Sequence, residues 1–181
     1  MKRWIALCLA LALAVSLAAC GGAASSAAQE KDYARILMDA RSDEDNQYLE
    51  IVAGKAGQDP SMPHNPNSMD EENIRSAAEM MFTTLGLDSA ALDGYAFSMS
   101  LMNVRAYAVG IFKPAEGREE EVQQALQAYV TAQQRAFENY LPDQYEVAKA
   151  AVLRTAASGE IVLVLCENAA DLASAIETAL K

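Results

Sequence analysis

Six consecutive residues, Ile161-Val162-Leu163-Val164-Leu165-Cys166, are apolar on both of the faces that an extended chain presents. A short apolar run rich in β-branched residues reads as a strand, and two apolar faces put it near the middle of a sheet. A turn at Ser158-Gly159 precedes it, and residues 150–155 supply the other arm of a hairpin. This pair commits the chain to a β-sheet core.

A second hairpin is expected from two apolar runs, residues 94–101 and 104–113, separated by Met102-Asn103. A two-residue turn there would set Leu101 opposite Val104, Met99 opposite Ala106, Phe97 opposite Ala108 and Tyr95 opposite Gly110. Large residues then face small ones on one surface. Ser98, Ser100, Arg105, Tyr107 and Val109 fall on the other, which is more polar.

Helices are expected between the hairpins. Ser68-Met69-Asp70-Glu71 has the form of a capping box, and Ile74, Ala77, Ala78, Met81 and Leu85 follow on one stripe, with Gly86 in the usual C-cap place. Glu119, Glu120 and Glu121 suit the first turn of a further helix. Its apolar stripe is Val122, Leu126, Tyr129, Ala136, Phe137 and Tyr140, and Pro142 closes it. Asn168 caps a last helix with Leu172, Ala173, Ile176 and Leu180 inward. Upstream, Tyr33, Ile36, Leu37 and Ala40 keep helical spacing until residues 42–46 break it, and residues 47–53 suit a short strand. Residues 54–69, with three prolines, two glycines and His64, form a loop long enough to be mobile. The fold class is therefore α+β: an antiparallel sheet of four to five strands, built on two hairpins, with helices packed mainly on one face.

The N-terminus carries an address. Lys2 and Arg3 precede an apolar stretch over residues 4–16, which is too short for the ~20 residues a membrane-spanning helix needs. Leu17-Ala18-Ala19-Cys20 then resembles the lipobox of bacterial lipoproteins. That resemblance implies a signal peptide over residues 1–19, a diacylglyceryl group on the Cys20 thiol and cleavage just before it. Residues 20–30 hold no large apolar side chain and form a tether, with residues 31–181 as a single domain. Two or more acyl chains anchor durably where one would not. The expected location is the outer face of the cell membrane.

Loss of Lys2 and Arg3 reduces the 14 basic residues to 12 against 25 acidic ones, a net charge of −13 for the mature chain. That charge is repelled by anionic lipid and by nucleic acid, and no Lys/Arg cluster offers phosphate contacts. Nucleic acid is therefore excluded as a partner. Cys8 leaves with the signal and Cys20 is acylated, so Cys166 is left without an intrachain disulfide partner.

Residues 95–104 (Tyr95-Ala96-Phe97-Ser98-Met99-Ser100-Leu101-Met102-Asn103-Val104), the Phe112-Lys113-Pro114-Ala115-Glu116-Gly117 corner and Tyr140-Leu141-Pro142-Asp143-Gln144-Tyr145 resemble the lipoproteins of domain-of-unknown-function family 4358, from anaerobic Gram-positive bacteria. The region 34–46, with Asp39-Ala40-Arg41-Ser42-Asp43-Glu44, is similar too. The resemblance implies a single-domain lipoprotein and no assigned activity.

Site chemistry is sparse. Cys166 lacks an activating base nearby in sequence and reads as a buried strand cysteine. His64 among scattered carboxylates falls short of a zinc pattern, and Asp43-Glu44-Asp45-Asn46 lacks the ligand order of a calcium loop. Ser98 and Ser100 have no nucleophile elbow. No metal, cofactor or catalytic set is expected. Helices on one face of the sheet would leave Ser98, Ser100, Arg105 and Tyr107 on an open face, to be covered by the N-terminal segment, a partner or a ligand. The expectation is a non-enzymatic binding or accessory lipoprotein with an envelope protein partner. The alternatives are a small-ligand sensor and, third, an envelope enzyme. An exposed sheet edge leaves a homodimer open.

Overall fold

The computed structural model describes residues 31–63 and 69–181. Asp32–Lys181 forms one compact unit and carries every element below.

Its strands are β1 (Val52–Lys55), β2 (Leu92–Met99), β3 (Ala108–Pro114), β4 (Val152–Thr155) and β5 (Ile161–Leu165), all antiparallel to their neighbours in the order β1-β2-β3-β5-β4. The helices are α1 (Tyr33–Ala40), α2 (Asp43–Tyr48), α3 (Glu71–Leu85), α4 (Glu119–Phe137), α5 (Pro142–Lys149) and α6 (Ala169–Ala179). The α+β class and the five-stranded antiparallel sheet are as the sequence indicates. β5 is fully buried and lies between β3 and β4.

The helices cover both faces instead of one. On the first face, Phe97, Met99, Phe112, Leu163 and Leu165 meet Met81, Phe82 and Leu85 of α3, Leu126 and Phe137 of α4, and Ala148 of α5. On the second, Ala96, Val109, Ile111, Val162 and Val164 meet Ala34 and Leu37 of α1 and Ala173 and Ile176 of α6. An apolar β5 on both sides leaves no other solution, because an uncovered face would expose Ile161, Leu163 and Leu165 on one side or Val162 and Val164 on the other to water.

The first hairpin has a longer loop than expected. Met99 pairs with Ala108, Phe97 with Gly110 and Tyr95 with Phe112, two residues out of the two-residue-turn register. Neither Met102 nor Asn103 is a glycine that would take positive φ freely, and Ser100 instead folds the chain locally: its hydroxyl accepts from the Met102 N–H at 3.3 Å. A shift of two leaves every side chain on its expected face.

Five other local expectations need correcting. The N-cap of α3 is Asp70, whose carboxylate accepts from the Asn73 N–H, and Ser68 lies outside the described residues. Residues 54–69 are not all loop, since β1 runs to Lys55 and Ala53 bridges Ser61, while 64–68 lie outside the described residues. The acidic stretch is helix α2, capped by Ser42 with three carboxylates in its first turn. Pro142 starts a helix instead of merely ending one, taking the first-turn position of α5 where no N–H is needed. Ala136 and Tyr140 are exposed and Val130 takes their place on the buried stripe of α4.

Candidate functional site

The second face is closed at one end by a knot of polar side chains. Arg41 follows α1 and is 6% exposed. Its Nε and Nη2 donate to Asn46 Oδ1 at 3.0 and 2.7 Å, and Nη2 also donates to the Leu49 carbonyl at 3.1 Å. Asn46 in turn donates to the Met38 carbonyl. A cation this deep in the protein needs such acceptors, because an unpaired one loses its hydration uncompensated.

The residues expected on an open face converge on this knot. Ser98 is fully buried and its hydroxyl donates to the Leu49 carbonyl at 3.4 Å. Tyr107 is buried, and the Arg105 guanidinium lies over its ring at 4.8 Å. Arg105 is half-exposed and pairs with Asp45 on α2 at 2.6 Å. Ser100 sits at the turn, where its hydroxyl donates to the Met102 carbonyl. The face is thus covered by the N-terminal segment of the chain itself, and Ser98 and Tyr107 are not available to a partner. Only Arg105 and Ser100 reach the surface.

Burial pushes the Tyr107 phenol well above its ordinary value, and the Arg41 charge opposes that rise. Neither the Tyr107 hydroxyl nor Arg41 Nη1 closes a hydrogen bond of good geometry. The Cys166 thiol is next door, pushed up to about 11 by burial first, then by the Asp45 carboxylate, against the effect of Arg105. Its S–H donates to the Glu167 carbonyl at 3.1 Å. A thiol held protonated and aimed at a carbonyl is not an activated nucleophile at neutral pH. Beside it, Val104, Arg105, Gln144, Val147, Cys166 and Glu167 line a cavity of about 270 Å³.

A second, larger cleft of about 480 Å³ lies at the β1 edge, between residues 55–60, Arg75, Glu79 and Phe82 of α3, and Tyr95. Tyr95 lies across β1 because Gly54 has no side chain: its hydroxyl fills the place a Cβ would take. Arg75 meets Asp59 at 3.3 Å across the mouth. Neither cleft stood out in the sequence, since each lining is assembled from segments far apart in the chain.

Leu17, Ala18, Ala19 and Cys20 lie outside the described residues, as does His64. Among the described residues no helix is long and apolar enough to cross a membrane, and no group of three His, Cys, Asp or Glu side chains could hold a metal ion.

A family model described as Domain of unknown function (DUF4358) matches residues 67–167, more than half of the chain. The chain belongs to this family. The DUF4358 match spans α3 through β5, so it includes the first face and the loop after β2, while α1 and α2 precede it. The similarity seen in residues 34–46 therefore falls outside the DUF4358 match, though it supplies Arg41, Asp45 and Asn46 to the knot. No curated protein and no solved structure matches the chain.

Proposed function

We propose that this DUF4358 protein is a lipid-anchored binding or accessory module, held at the outer face of the cytoplasmic membrane through Cys20, that acts by docking an envelope protein and not by catalysis. The observation that carries the reading is Leu17-Ala18-Ala19-Cys20, placed directly after a short apolar stretch and a basic start. A tether without large apolar residues follows, and then one domain stabilised by an ordinary apolar core. The acidic net charge favours a covalent anchor, since anionic lipid would not recruit the domain by itself.

The test is growth of cells on labelled palmitate. Label should enter the wild-type chain and be absent from Cys20→Ala, which should also leave the membrane fraction. A Cys20→Ala chain that still took up label would sink the anchoring half of the proposal. The docking half is tested by in-cell crosslinking of the lipidated chain.

The cleft beside Tyr95 favours one other reading, a small-ligand sensor. An apolar floor of Tyr95 and Phe82 under Arg75, Asp59 and Glu79 suits a compact zwitterionic molecule. Screening amino acids by thermal shift separates the two: a shift that Arg75→Ala abolishes would favour the sensor.

A further inference from the structure

The loop between β2 and β3 turns its large apolar side chains outward. Leu101, Met102 and Val104 are 49, 69 and 56% exposed, while Met99 and Ala106 on either side are buried. The loop is braced, not loose. The Ser100 hydroxyl holds its start, Gln144 Oε1 accepts from the Ala106 N–H at 2.8 Å, and Arg105 is tied to Asp45. Neighbouring large apolar side chains held in water on a fixed loop mark an interaction surface.

The rim around them is acidic. Asp43 and Glu44 extend from α2, Asp143 from α5 and Glu167 from the end of β5, and all four are exposed and make no ion pair among the described residues. Arg105 and Lys149, exposed cations at this end, are already held by Asp45 and Glu146, and Arg41 is buried in the knot.

The loop also lies far from where the chain enters the domain. Tyr33, one residue into the folded unit, donates to Glu160 and lies 3.3 Å from the position a Gly94 Cβ would take. Gly94 is at the start of β2, and the loop leaves from its other end.

Resting on the reading of this chain as a binding module, we infer that Leu101, Met102 and Val104 with their acidic rim dock a protein partner whose own surface is an apolar patch flanked by Lys and Arg. Charge complementarity selects that occupant. A second copy would bring a like-charged rim to the same contact, and an anionic membrane would be repelled. The loop thus stands at the end of β2 remote from Tyr33.

The experiment places a photoreactive side chain at Met102 in the full, lipidated chain in its own cells, with a control at the exposed Ser89 ahead of β2. The expected result is a protein adduct from position 102 and none from 89. The captured peptide should carry Lys or Arg beside apolar residues. The adduct should fall about tenfold in an Asp43→Lys/Glu44→Lys/Glu167→Lys variant that unfolds at the parent temperature. It should fall likewise in isolated membranes when salt rises from about 0.1 to about 0.5 M, a readout that does not depend on that variant folding. An adduct with lipid, with a second copy, or one indifferent to both charge and salt overturns the inference. An adduct at 89 with 102 silent overturns it while the binding-module reading stands; silence at both positions overturns both.

Discussion

Arg105 Nη2 meets Asp45 Oδ1 at 2.6 Å across 60 residues of chain, fastening the loop after β2 to the short helix α2. One partner is within the DUF4358 match and the other ahead of it. The contact is where the N-terminal cover of the sheet is joined to the loop that this cover leaves exposed.

The strength of that joint should be modest. The Arg105 side chain is 45% exposed and that of Asp45 13%, and a pair with one arm in solvent couples by about 1 kcal/mol, less in salt. A double-mutant cycle of Asp45→Ala and Arg105→Ala, read by urea unfolding, measures it. Coupling near 3 kcal/mol would mean that solvent screens the pair far less than its exposure indicates.

Arg41 should matter more. Arg41→Met strands the Asn46 and Leu49 acceptors and is predicted to cost about 2–4 kcal/mol. Arg41→Lys should recover little, because one ammonium cannot reproduce the planar fork that serves both acceptors. Denaturant midpoints decide this; a loss under about 1 kcal/mol for Arg41→Met would show that the knot can relax around the gap.

Gly110 sits in the middle of β3, where alanine ordinarily improves a strand. Here a Cβ would come within 2.5 Å of the Phe112 ring and 2.8 Å of Phe97 Cβ. Gly110→Ala is therefore predicted to destabilise by about 1–3 kcal/mol through overpacking, and Phe112→Leu in the same chain should return part of the loss. Stability equal to the parent in the single variant would contradict the close fit.

The Cys166 thiol gives a pH signature. Its folded pKa of about 11 lies above the ordinary 9.0, so the fold favours the protonated form. The stability tied to that proton is fully present below about pH 9 and is lost as pH rises through about 11. Alkylation of the native chain at pH 8 should be slow and become fast on unfolding. Rapid labelling of the native chain would place the thiol in a far more open setting.

Much of this architecture was legible in the sequence, and the misses share a cause. The faces of β2 and β3 were assigned correctly because alternation survives a register shift of two; the register itself was not, because a serine turn at Ser100 looks like strand in an apolar run. The both-sided apolar character of Ile161–Leu165 already demanded cover on two faces, and the stripe of Tyr33, Ile36, Leu37 and Ala40 supplied part of it beside α6. What hid it was the acidic stretch after Arg41, which breaks the helical spacing although Ser42 and its three carboxylates form a helix start. α5 is short and mostly polar, so Pro142 passed for an ending. Of the expected face, Arg105 and Ser100 reach solvent while Ser98 and Tyr107 do not, since nothing in a single sequence says which distant segment folds over which strand.

The second face of the sheet is shared between the first helix of the domain and the last, Leu37 of α1 lying in one cluster with Ile176 and Leu180 at the far end of the chain. A chain is synthesised from its N-terminus, and domains fold as units once enough of them has emerged. α1 therefore waits through the making of every other element before α6 arrives beside it. A product cut short before α6 would lack the Ala173 and Ile176 cover over Val162 and Val164, so closure of this face is expected among the last steps of folding.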